Sequence, residues 1–363
     1  MWMREDHAVL RVLIAAGGTA GHVVPALAVA ERLAAAGAEV VFVGGERAEA
    51  ELVPAAGYEL RRIRVEGLSR TNPLRAARAA LRAGAALGVA SRILRELRPA
   101  AVLGGGGYVA GPVGLAALAR RVPLVLTEAD SHLGITNRLL APRARRVCLA
   151  YPIAGRDGPR YRVTGRPVPP PARDVGAARA RFDLHDGEQC VLVFGGSLGA
   201  RTINEAAVEA FTAAPFRVLH AAGTRDHATL ASRVDGAHYD LRPYIDDFGE
   251  ALAACDLCVA RAGGSIFEIA AAGKPAILVP YPHASADHQT ANARWMQAAG
   301  AAVVVPDGEL TAARLGSEVG GLLGDPSRLR AMATASAALA QPDAAQAVAD
   351  ELLAAAASRG PSR

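Results

Sequence analysis

The stretch Cys190-Val191-Leu192-Val193-Phe194-Gly195-Gly196-Ser197-Leu198-Gly199-Ala200-Arg201 decides how the rest of the chain is read. Five apolar residues run into a glycine pair, and a helix-like segment from Thr202 to Phe211 leads out. Strand, glycine turn and helix in that order leave free backbone N–H groups at a helix start, where they can hold a phosphate. A similar unit lies near the N-terminus, where Val12-Leu13-Ile14-Ala15-Ala16 is followed by Gly17-Gly18-Thr19-Ala20-Gly21-His22. One such loop is equally a plain strand–helix turn. Two of them, each opening its own α/β half, predict two nucleotide-type domains facing one cleft.

The chain of 363 residues suits two domains. Hydrophobic residues make up 51% and aromatics only 4%, so the cores are built from Ala, Val, Leu and Ile. The net charge of +5 suits an acidic partner, although Lys274 is the only lysine and part of the arginine excess reflects codon bias. Cys148 and Cys190 lie in apolar runs; Cys255 and Cys258 form a C-x-x-C at the approach to a buried strand, without a second pair at metal spacing. That usage is structural and fits a reducing compartment. The first apolar stretch is short and interrupted by Gly17-Gly18, so no signal peptide is expected, and no run approaches the roughly 18 apolar residues of a membrane span. A cytoplasmic protein, soluble or peripheral, is expected.

Short apolar strands are predicted at 9–16, 39–43, 63–65, 101–103, 123–127 and 146–150, with helices at 25–36, 74–97, 114–120 and 135–140. The prolines at 167 and 169–171 make 161–173 the candidate linker. The pattern restarts at 190–194 and alternates to a strand at 302–305, with closing helices at 311–323, 326–338 and 342–357. Such alternation means βαβ crossovers and parallel sheets covered on both faces. Ligands of these sheets bind at the carboxyl ends of strands. There the sequence offers the two glycine loops, Gly104-Gly105-Gly106-Gly107-Tyr108, Thr127-Glu128-Ala129-Asp130, and the segments 242–247, 261–268 and 280–289. Neither a strict dinucleotide fingerprint nor a P-loop is present, and no acidic or histidine cluster has the spacing of a metal site.

These residues also carry a resemblance. Gly17 to Pro25 resembles the G-G-T-G-G-H-x-x-P of the MurG family, the undecaprenyldiphospho-muramoylpentapeptide β-N-acetylglucosaminyltransferases. Gly104 to Pro112, Ile135-Thr136-Asn137-Arg138, Gly195 to Ala200, Tyr244 to Asp247, Glu268 to Gly273 and Asp287-His288-Gln289 are similar to its later blocks, in order from about residue 10 to 310. The resemblance implies a GT-B fold of two Rossmann-like parallel-sheet domains: 1–163 on the acceptor and membrane side, 164–340 for the donor, and a C-terminal helix in 341–363 that packs back on the first. It implies inverting transfer of GlcNAc from UDP-GlcNAc to the MurNAc C4 hydroxyl of lipid I, giving lipid II and UDP for peptidoglycan synthesis, without cofactor or metal. The place of action implied is the cytoplasmic face of the cell membrane, against its anionic inner leaflet, with cell-wall or division proteins as further candidate partners and no nucleic acid.

By the same resemblance His22 is the candidate base, beside Thr19, Ala20 and Gly21. Donor contacts fall on Thr19, Ala20 and Gly21, which also line the acceptor-phosphate side, and on Asp130, Arg166, Ser197, Ile245, Gly263, Gly264, Ser265, Ile266, Phe267, Glu268 and Gln289. The chain departs from the pattern at Asp130, where many members have asparagine, at Ala20, where they have glycine, and at Pro169, where the family arginine of G-N-P-V-R would stand. Arg166 or Arg201 is then left to face the diphosphate. Tyr108 suits packing over the glycine turn as well as acceptor contact. Arg75, Arg78 and Arg82 share one helix face, either solvated or set against anionic lipid. Two other functions fit the motifs: UDP-sugar transfer to another lipid acceptor, and a silent nucleotide-binding scaffold.

Overall fold

Valine-, leucine- and isoleucine-rich runs of four to six residues have no polar face, so they become strands buried on both sides. The computed structural model describes residues 9–65, 73–130, 132–196, 199–234, 236–284 and 287–358, with the backbone alone over 73–83. The chain divides into two units, residues 1–168 with 343–363, and residues 169–342. The division thus falls past the boundary expected at 163.

Unit 1 holds seven strands: β1 (Arg11–Ala15), β2 (Glu39–Gly44), β3 (Glu59–Arg62), β4 (Ala101–Gly104), β5 (Leu124–Glu128), β6 (Arg146–Leu149) and β7 (Tyr161–Val163). Their spatial order is β3-β2-β1-β4-β5-β6-β7, all pairs parallel. Helices α1 (Ala20–Ala35), α2 (Ala48–Ala55), α3 (Pro73–Leu97), α4 (Ala110–Ala119) and α5 (Ile135–Leu140) lie between them in sequence. Alternate residues of β1 serve the two faces: Val12 and Ile14 join the core with α1, Leu13 and Ala15 the core with α3 and α4. Each such aliphatic side chain contributes roughly 1.5–3 kcal/mol on burial.

Unit 2 begins with α6 (Val175–Arg181) and continues β8 (Cys190–Phe194), α7 (Arg201–Phe211), β9 (Arg217–Ala221), α8 (His227–Ala231), β10 (Tyr239–Arg242), α9 (Phe248–Ala254), β11 (Leu257–Ala260), α10 (Ile266–Ala271), β12 (Ala276–Leu278), α11 (His288–Ala298), β13 (Ala302–Val304), α12 (Ala312–Leu323) and α13 (Pro326–Ala338). Its parallel sheet runs β10-β9-β8-β11-β12-β13. The last helix, α14 (Ala344–Ala357), packs on α1, β4 and β5 in unit 1. There Glu351, 7% exposed, takes Arg146 Nε and Arg162 Nη1 at 2.6 Å each.

Four elements differ from the sequence reading. The strand expected at 63–65 lies at Glu59–Arg62, an edge whose charged residues suit solvent, while Ile63 is a buried plug just beyond it. The start of the expected linker is β7, the other edge of the same sheet. Helices α2 and α6 have no counterpart in the sequence reading. All four cysteines are free and buried.

Candidate active site

Strand order reverses between β1 and β4 in unit 1 and between β8 and β11 in unit 2, which opens a crevice at the carboxyl ends of each pair. Ala15 is in register with Val43 and Gly104, so the loops after β1, β2 and β4 start at one level. The first loop turns through Gly18 into α1, with Thr19 extended before it. Ala20 is already helical, so its methyl costs the loop nothing.

His22 sits in the first turn of α1, with Nδ1 3.2 Å from Thr19 Oγ1. In the tautomer whose Nδ1–H donates to Thr19, the Nε2 lone pair stays free to take a proton. The tetraglycine loop covers the ring edge. Gly106 has φ 96°, and a Cβ there would stand 2.6 Å from His22 Cδ2 and 3.3 Å from Nε2. Only glycine leaves that edge open. Burial, then the nearby Arg166 charge, lowers the His22 pKa against the opposing pull of Asp130 and Glu49, so the imidazole is neutral near pH 7.

Arg166 is 9% exposed and its Nη2 donates to the Gly21 carbonyl at 2.5 Å. It therefore belongs to the surroundings of His22 in unit 1. Asp130 is half-buried, with its N–H on Glu128 Oε1 at 3.2 Å. Glu128 Oε2 accepts from Gly134 N at 2.8 Å and Asn137 Nδ2 at 2.9 Å. Both Glu128 and Asn137 thus brace the loop that carries Asp130. Burial raises the Glu128 pKa against those donors.

In unit 2 the loop after β8 closes through Gly199, whose φ is 76° and whose Cβ would collide with the Ala222 carbonyl. Ser197 lies outside the described residues. Arg201, at the start of α7, is largely exposed and pairs with Asp226 at 3.5 Å. The loop after β11 carries Gly263, Gly264 and Ser265 into α10, where Glu268 is half-buried. Ile266 and Phe267 are core side chains, Phe267 against Trp295, so only their backbones can face a ligand. Gln289 Oε1 accepts from Tyr281 N at 2.9 Å, and its Nε2 lies 3.9 Å from where a Gly263 Cβ would be. Gln289 and the 263–268 loop are therefore together. Ile245 is buried in the segment after β10.

Three residues of this framework, Glu49, Asn204 and His220, escape the sequence reading, and Arg261 enters it only as the first residue of the segment 261–268. Glu49 on α2 joins three loops of unit 1. Arg261, 8% exposed, ties the loop after β11 to the carbonyls of Val279 and Pro280 at 3.1 and 3.3 Å and to Asp307. Asn204 binds the Ala222 carbonyl at 2.8 Å and fixes the start of α7. His220 lies between Tyr239 Oη at 2.8 Å and Asn204 Oδ1 at 3.1 Å, and burial lowers its pKa to about 3. Tyr108, weighed as an acceptor contact, gives its hydroxyl to Glu49 at 2.9 Å, and burial with that carboxylate raises its pKa to about 12.

The profile of the Glycosyltransferase family 28 N-terminal domain matches residues 12–149, and that of the family 28 C-terminal domain matches 190–348. The chain belongs to glycosyltransferase family 28. Among its family 28 relatives, the Nitrosococcus oceani UDP-N-acetylglucosamine–N-acetylmuramyl-(pentapeptide) pyrophosphoryl-undecaprenol N-acetylglucosamine transferase is 44% identical over 95% of this chain and 98% of its own. The Alkalilimnicola ehrlichii protein of the same name is 45% identical over 93% and 97%. The crystal structure of Acinetobacter baumannii MurG superposes with a TM-score of 0.73 at 30% identity, covering 95% of this chain and 99% of that one. Both glycine loops and His22 fall inside the matched domains.

Proposed function

We propose that this family 28 chain transfers GlcNAc from UDP-GlcNAc to the MurNAc C4 hydroxyl of lipid I, with inversion, releasing lipid II and UDP. What carries the reading is that relatives named for this reaction align over nearly the whole of both chains. A neutral imidazole at the head of α1 fits the chemistry. His22 Nε2 takes the proton of the C4 hydroxyl as its oxygen forms the bond to the GlcNAc anomeric carbon. The bond from that carbon to the UDP oxygen breaks, and its electron pair leaves with the diphosphate. The start of α7, with its unpaired N–H groups, receives the charge that develops there. Glu268 binds the ribose hydroxyls, Gln289 the GlcNAc hydroxyls, and Ile245 the uracil through its backbone. Thr19, Ala20 and Gly21 line the donor and acceptor-phosphate side, and Asp130 accepts from sugar hydroxyls. Arg166, held against Gly21, adds the positive charge that Pro169 does not supply.

The acceptor is a lipid, so turnover takes place at a membrane surface, on its cytoplasmic face. No described helix is long and apolar enough to cross a membrane. Attachment through the arginine face of α3 suits such peripheral contact; the side chains of Arg75, Arg78 and Arg82 lie outside the described residues. UDP release is measured with UDP-GlcNAc and a short-chain lipid I analogue, for wild type and His22→Ala. Wild type turns over, and the variant loses kcat by about 10²–10⁴-fold. No transfer by wild type overturns the function; full activity of the variant removes His22 as base.

A further inference from the structure

We propose that Glu49 is the positioning residue of the His22 centre: one buried carboxylate clamps the loops after β1, β2 and β4 into a single frame. The inference rests on His22 as the base. Glu49 is 0% exposed. Its Oε2 accepts from Gly18 N at 2.8 Å, in the loop after β1. Its Oε1 accepts from Gly45 N at 2.8 Å, after β2, and from the Tyr108 hydroxyl at 2.9 Å, after β4. The neighbouring glycines make room for it, since a Cβ on Gly17 or Gly44 would stand 2.7 Å from Glu49 atoms. The Arg47 guanidinium lies over the Tyr108 ring, 5.4 Å from its centroid.

The clamp reaches the base along two covalent paths. Gly18 precedes Thr19, whose hydroxyl meets His22 Nδ1 at 3.2 Å. Tyr108 follows Gly106 and Gly107, which lie against the His22 ring edge and the Gly17 carbonyl. Both sides of the imidazole are thus set by loops that Glu49 holds. A general base misplaced by an ångström loses about two orders of magnitude in rate. A buried carboxylate without donors would be protonated; here burial raises the pKa, and the donors from Gly18, Gly45 and Tyr108 outweigh it and keep Glu49 ionised. The charged groups facing His22 are Arg166, Asp130 and Glu49, of which the last two favour the imidazolium.

Replacing the carboxylate by an amide removes the charge and turns an NH₂ toward one of the N–H or O–H donors. Shortening it to aspartate keeps the charge but cannot span all three loops. Wild type, Glu49→Gln, Glu49→Asp, Tyr108→Phe and His22→Ala are compared in UDP release across pH, with rates expressed per molecule that binds UDP-GlcNAc. Glu49→Gln is expected to lose roughly 10–100-fold in kcat, keep KM for UDP-GlcNAc within twofold, and move the acid limb of kcat to lower pH. Glu49→Asp loses kcat but leaves the limb in place. Tyr108→Phe stays within about threefold of wild type, since both backbone N–H bonds survive. A Glu49→Gln enzyme with wild-type kcat and limb per folded molecule overturns the proposal, as does a loss that only tracks its thermal midpoint. If His22→Ala is as active as wild type, the base assignment itself falls; if it is inactive while Glu49→Gln is intact, only the clamp falls.

Discussion

The pKa of His22, the base we propose, is set by what surrounds it. A solvated histidine titrates near 6.5, and burial with the Arg166 charge moves His22 below that. A general base works only unprotonated, so the rate is lost as pH falls through its pKa. The acid limb of kcat should therefore lie below pH 6.5, measured as initial rates of UDP release; a limb above 6.5 contradicts the electrostatic account. Gly106 is the second residue on which the site turns. Gly106→Ala forces a left-handed alanine and places its Cβ in contact with the imidazole. We expect kcat to fall by about 10²-fold while KM for UDP-GlcNAc holds, because the proposed ribose, GlcNAc and uracil contacts on Glu268, Gln289 and Ile245 sit in unit 2. The glycine run was legible from the sequence because backbone geometry restricts which residues fit there, whereas His22 stood out as the base only through the family resemblance. Glu49 was not: the sequence reading holds no helix α2 to carry it, and only the packing of three distant loops reveals its donors. The Gly44-Gly45 pair just before it was the one signal available.

At the scale of elements, α14 is held by charge as well as by its apolar face. Burial raises the Glu351 pKa, but Arg162 and Arg146 outweigh it and hold it below the usual carboxylate range. The stabilisation is present above the unfolded carboxylate value of about 4.3 and is lost as pH falls through the folded one. Glu351→Gln should cost roughly 1–2 kcal/mol, after discounting the half-exposed arginines for solvent screening, read as a lower thermal midpoint at pH 7 and a smaller gap from wild type at pH 3. His220 tilts unit 2 similarly. Its folded pKa is about 3, so between pH 6.5 and 3 the unfolded chain binds the extra proton. Stability then falls by about 1.4 kcal/mol for each pH unit of acidification. Denaturant melts of wild type and His220→Gln over that range should show the steeper slope in wild type. Equal slopes contradict the buried neutral histidine. The interior strands were readable because burial on both faces demands unbroken apolar runs. Edges β3 and β7 were misplaced or missed because an edge strand is allowed to be short and charged, and α2 because its buried positions are few.

At the scale of the molecule, the sequence disclosed two α/β halves through paired glycine loops and a restart of strand–helix alternation after the proline cluster. What it could not disclose is which polar side chains serve the frame and which are left for ligands. Glu128 reads as a ligand group but, with Asn137, braces a loop; Ile266 and Phe267 turn inward. Arg261, read only as the first residue of a candidate ligand segment, and Asn204, which carried no reading, hold loops of unit 2. The strand order of each sheet places its two glycine-bearing loops at the point of reversal, and family 28 membership accounts for both. The central claim is inverting transfer to lipid I. It is tested most directly by incubating the enzyme with UDP-GlcNAc and a short-chain lipid I analogue and determining the anomeric configuration of the product by NMR. The account predicts a β-linked GlcNAc on the MurNAc C4 oxygen with one UDP released per linkage; an α-linked product, or UDP released without any disaccharide, would contradict it.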